Sequence, residues 1–86
     1  MPTLILSGSI RQHAGGVGAV KVRARSARAA VAALETSHPA LRGWVVDEQG
    51  LLRRHVKLFH RGASVSLDAA LAPDDELHIV AAISGG

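Results

Sequence analysis

Near its start the chain has a stretch rich in Leu and Ile, breaks at a cluster of glycines, and then alternates apolar and polar positions. Residues 3–10, rich in Leu and Ile, read as a strand, the stretch His13-Ala14-Gly15-Gly16-Val17-Gly18 as a turn, and residues 19–23 as a second strand of clear period two. A β-hairpin therefore opens the chain. The period then changes: Ala27, Ala30, Val31 and Leu34 fall at i, i+3, i+4 and i+7, behind Ser26 as a candidate N-cap and ahead of His38-Pro39 as a stop. One amphipathic helix follows.

Residues 40–52 hold Trp44 and the turn-like Asp47-Glu48-Gln49-Gly50, and read as a short helical turn and an irregular loop. Residues 54–60 alternate again, with Val56 and Leu58 on one face and His55, Lys57 and Phe59 on the other, and Arg61-Gly62 is the next turn. A short strand over 65–67, an irregular or helical piece through Leu71 and a turn at Pro73-Asp74-Asp75 lead into a last strand at 76–81. This order predicts an α+β fold of the β-grasp (ubiquitin-like) kind, a mixed sheet of four to five strands with one main helix on one face. Leu4, Leu6, Val20, Val22, Val31, Leu34, Val56, Leu58, Leu77 and Ile79 are the expected core. On the opposite, wetter face Phe59 and Val80 stand out as apolar, which marks them as candidates for partner docking.

With 86 residues there is room for one domain of modest core, taken as residues 1–81, with residues 82–86 as a flexible tail. Ten Lys and Arg against seven Asp and Glu give a charge of +3, but the basic residues are scattered and Trp44 and Phe59 are the only large aromatics. Direct nucleic-acid binding is therefore not expected. No apolar run approaches the roughly 18 residues of a membrane span, so a cytoplasmic protein without a membrane partner is expected. Five histidines invite a metal reading, yet His55 and His60 are five apart on one strand and point to opposite faces, so no metal site is assigned. Asp74, Asp75 and Glu76 lack any accompanying base or nucleophile, and read as a solvated turn. An independent enzyme is not expected.

The chemistry concentrates in Ala82-Ile83-Ser84-Gly85-Gly86. Residues without a Cβ pass narrow channels in backbone conformations closed to others, and about 3.3 Å per residue lets residues 82–86 reach roughly 16 Å from the fold. The Gly86 carboxylate is thus suited to threading into another protein's nucleotide site. A free carboxylate resists substitution, whereas its acyl-adenylate loses AMP readily. Sulfide or a persulfide then leaves a thiocarboxylate on Gly86. That is a way for a chain with no cysteine to carry sulfur.

Three stretches carry a resemblance. Residues Ile10-Arg11-Gln12-His13-Ala14-Gly15-Gly16, Gly50-Leu51-Leu52-Arg53-Arg54-His55-Val56-Lys57-Leu58-Phe59 and Ala82-Ile83-Ser84-Gly85-Gly86 resemble motifs of the MoaD/ThiS family of ubiquitin-like sulfur carriers, in its CysO-like, cysteine-biosynthesis subgroup. Lys57, where many members have Asn, Pro73-Asp74-Asp75, where they have a Gly-Asp turn, and Ala81, near a common Pro, depart from the pattern. The resemblance implies an E1-like adenylyltransferase/sulfurtransferase that uses ATP, a sulfur donor and a downstream sulfur-accepting biosynthetic enzyme as partners. The chain itself is expected to bind no cofactor. Two other uses share the activation step: the small subunit of molybdopterin synthase, and a modifier conjugated to lysines.

Overall fold

The computed structural model of the chain describes residues 1–81. Strand β1 (Thr3–Ser7) is followed by a short helix α1 (Gly8–His13), then β2 (Ala19–Lys21), the long helix α2 (Ala27–Ser37) and a 3-10 turn at Pro39–Leu41. Strands β3 (Val56–His60), β4 (Ala63–Val65) and β5 (Glu76–Ala81) complete the chain order. The sheet has five strands in the order β2-β1-β5-β3-β4, in which β1 and β5 are parallel and the other pairs antiparallel. This is the mixed, one-helix β-grasp sheet that the element order predicts.

Alternation decides which face each strand buries. Leu4 and Leu6 of β1, Val56 and Leu58 of β3 and Leu77, Ile79 and Ala81 of β5 all turn to the helix side and are buried. Helix α2 answers with Ala27, Ala30, Val31 and Leu34. Its start is tightly specified. The Ser26 hydroxyl accepts the Ala29 N–H at 3.1 Å, and the Ala27 and Arg28 N–H groups donate to the Ala69 and Leu67 carbonyls at 2.9 and 2.8 Å. These groups would otherwise be orphaned, so the 67–70 segment positions the helix as well as covering the core.

Four expectations need correction. The first strand stops at Ser7, because Gly8 turns the backbone into the left-handed region at φ 62° and α1 begins there. Ile10 is fully buried all the same, as the buried residue of α1, which packs on β1 and β5. The second strand ends at Lys21, short of Arg23, and Val20 is only half-buried although Val22 is in the core. The short fourth strand lies at Ala63–Val65, because Arg61 and Gly62, both at positive φ, make a two-residue hairpin turn that fixes its register against β3. The 42–55 loop, finally, is well ordered: the Asp47 carboxylate accepts the N–H groups of Gln49 and Leu51, Val46 bridges to Leu52, and Val45 is fully buried.

Candidate functional site at the root of the tail

Strand β5 is the centre of the sheet, and its last residue, Ala81, lies beside Val56 of β3. Ser7, at the end of β1, is level with Val80. The Ala81 carbonyl also approaches Gly8 so closely that a Cβ there would sit 3.3 Å from it. Glycine is therefore favoured at position 8 by its positive φ, and a side chain there would also press on this carbonyl. Residues 82–86 issue from the best-supported strand of the fold. The residues expected to thread into a partner, Ala82, Ile83, Ser84, Gly85 and Gly86 with its carboxylate, lie outside the described residues.

The registers assemble the open face of the sheet in rows. Ala19, Ile5, His78, Phe59 and Ser64 form one row across all five strands, and Ser7, Val80 and Lys57 form the next row toward the tail. Phe59 and Val80 thus share the face opposite α2, as diagonal neighbours on adjacent strands. Both are half-buried, so they are less exposed than their place on the open face suggested. Ile5, which the sequence reading left out, completes an apolar triangle with them around the exposed His78. The run Leu4-Ile5-Leu6 held the signal, since a continuous apolar triplet in a strand puts one member on the outer face.

The far end of β5 is built differently. The Asp75 carboxylate accepts the Ala72 N–H at 2.7 Å and an Arg61 guanidinium N–H at 3.2 Å. His60 Nε2 lies 2.8 Å from it, though without a hydrogen bond of good geometry. The Ala72 N–H foremost, and then His60 and Arg61, hold the Asp75 carboxyl below the usual carboxylate range, against the opposing effect of burial. Glu76 and His78 approach at 3.5 Å, and Asp68 pairs with Arg28 at 3.3 Å. The acids of the Pro73-Asp74-Asp75-Glu76 turn include a clamp between two turns, not only a solvated run.

No family model matches the chain. Small archaeal modifier protein 1 of Haloferax volcanii is 37% identical over 57 residues, which span 66% of the chain and 66% of that relative. The crystal structure of SAMP1 from Haloferax volcanii superposes with a TM-score of 0.83 at 31% identity, covering 99% of this chain and 98% of the other. A chain of the Amycolatopsis orientalis BexX/CysO complex superposes with a TM-score of 0.87 at 23% identity over 100% of both, a likeness of fold. The sheet, the single long helix and these matches define a ubiquitin-like β-grasp protein. The chain belongs to the MoaD/ThiS-like family of small ubiquitin-like carriers and modifiers.

Proposed function

We propose that the chain is a cytoplasmic sulfur carrier, a protein co-substrate and not itself a catalyst, loaded at the Gly86 carboxylate. An E1-like enzyme binds ATP, the carboxylate attacks the α-phosphorus, and pyrophosphate leaves. Hydrosulfide sulfur then attacks the acyl carbon and AMP leaves, so that Gly86 ends in a thiocarboxylate that donates its sulfur to a biosynthetic enzyme. The observation that supports this reading is that β5, the central strand, ends at Ala81, immediately before Ala82-Ile83-Ser84-Gly85-Gly86 in the sequence. Ile5, Phe59 and Val80 supply the apolar face on which the activating enzyme docks.

With the cognate E1-like enzyme, ATP and a sulfur donor, intact-mass spectrometry should show one oxygen-to-sulfur exchange, placed by fragmentation at the terminal carboxyl. Removing Gly86 should abolish it with no change in melting, since a chain end carries little of the core's stability. Undiminished loading of that deletion, or sulfur on an internal residue, refutes the mechanism.

A second reading, a modifier whose Gly86 is joined to lysines of other proteins, is favoured by the 37% identity to a protein named as a modifier. A ladder of conjugates that depends on Gly86 would select it.

A further inference from the structure

Charge is distributed unevenly between the two ends of β5. Three segments gather at the tail's root: 8–18, with α1 packed on β5; 39–46, against which α1 also packs; and 53–57, which enters β3 beside Ala81. Together they hold Arg11, Arg42, Arg53, Arg54 and Lys57, and no Asp or Glu. They are tied to one another. His13 at the end of α1 stacks on Trp44, with ring centroids 3.7 Å apart, and Arg53 Nε donates to the Gly43 carbonyl at 2.7 Å. Arg11 Nε likewise donates to the Gly16 carbonyl at 3.0 Å.

None of these five cations forms an ion pair among the described residues, whereas Asp68, Asp75 and Glu76 all have basic partners nearby. The nearest acids along the 42–55 loop are Asp47 and Glu48, which share a shallow recess with Arg53. Asp47 is already engaged by two backbone N–H groups, and Arg42 and Arg54 lie outside that recess. Trp44 is 38% exposed, a high value for the chain's single Trp.

We infer that this basic shoulder, with Arg42, Arg54 and the His13–Trp44 stack at its centre, is a second docking surface, complementary to an acidic rim around the tail-accepting cleft of the activating enzyme. The inference rests on the tail reading proposed above. A protein that takes up a tail of roughly 16 Å must bring its surface against the residues at the tail's root. There the unpaired guanidinium groups steer an oppositely charged rim, and a partly exposed Trp flanked by Arg is the composition typical of binding hot spots. The shoulder is distinct from the Ile5, Phe59 and Val80 face. One sets the rate and salt dependence of encounter, the other the apolar seat.

The test measures binding of the whole chain to its E1-like enzyme without ATP, by calorimetry at several salt concentrations, and thiocarboxylate loading with ATP. The double variant Arg42→Glu/Arg54→Glu should weaken binding by about tenfold or more and flatten its salt dependence, with an unchanged melting midpoint. Trp44→Ala should also weaken it. Arg23→Glu, an exposed charge reversal at the other end of the molecule, should bind like the parent. If the double variant binds like the parent, or Arg23→Glu weakens binding as much per charge reversed, the shoulder is not a docking surface. Parent binding without loading would overturn the carrier mechanism and leave the shoulder standing, whereas loading with no effect of the double variant does the reverse. Retention of a single-stranded RNA oligonucleotide by the parent, lost in the double variant while enzyme binding persists, would overturn the proposal in favour of nucleic acid.

Discussion

The two ends of β5 solve opposite problems with the same strand. At Glu76 the sheet is closed off by internal pairing: Asp75 takes up the Ala72 N–H, Arg61 and His60, and Thr3 donates to its carbonyl at 2.9 Å. At Ala81 the backbone is held by Val56 of β3 and by the close approach of Gly8, yet the surrounding cations have no acidic partners among the described residues. The contrast separates charges neutralised within the fold from charges, Arg42 and Arg54 foremost, left available to another molecule. Variants at one end should move melting, and variants at the other should move binding.

The largest expected effect on stability lies in the core that both ends share. Leu34 is fully buried, and Leu34→Ala should cost roughly 2 to 5 kcal/mol of unfolding free energy in a denaturant titration. Loading measured well below the lowered melting midpoint should persist, because in the proposed mechanism the fold serves the tail only as a handle. An unchanged midpoint would break the core assignment.

On the open face, Phe59→Ala should weaken binding of the activating enzyme by about tenfold, near the threshold at which an interface residue counts as important, with the fold intact. Equal affinities of variant and parent would remove this face from the interface. The comparison is sharpest at Gly8, which belongs to the tail's end but is fixed by backbone geometry. Gly8→Ala should cost about 1 to 2 kcal/mol and, by pressing on the Ala81 carbonyl, also slow loading. A variant with parental melting would show that position 8 tolerates a side chain.

The smallest effect belongs to Asp75. Because its folded carboxyl is held below the ordinary range, the ionised form stabilises the fold above the ordinary value, and that contribution disappears as pH falls through the depressed one, below about pH 4. The melting midpoint of the parent should decline there. Asp75→Asn should melt slightly below the parent at pH 7, with a flatter acid profile and unchanged loading. A deeper acid decline in the variant would contradict the clamp.

What the sequence disclosed followed how local each cause is. Ser26 as a cap, the stripe Ala27, Ala30, Val31 and Leu34, and the alternation of β3 and β5 depend on neighbours within a turn or two and are found as read, except that Arg54 and His55, read as the start of the third strand, form a turn ahead of it. Helix α1 stayed hidden because Leu4, Leu6 and Ile10 satisfy alternation, and the bend at Gly8 lies against Ala81, which is distant in sequence. The order of the 42–55 loop depends on Arg53 reaching back to Gly43, and the Asp75 clamp on Arg61, fourteen residues away. Phe59 and Val80 were legible from strand parity, whereas Ile5 as their neighbour required the parallel pairing of β1 with β5.

That parallel pairing has a bearing on how the molecule is made. Residues 3–7 can pair with β2 and residues 56–60 with β4, but both wait for residues 76–81 to join them, so the sheet cannot close before β5 has been synthesised. Contacts of such long sequence separation form slowly and leave earlier segments unprotected meanwhile. A chain interrupted before β5 would have neither a finished core nor an assembled open face. Under the docking proposed for that face, its recognition would therefore double as an inspection, admitting to activation only molecules whose folding has already run its course.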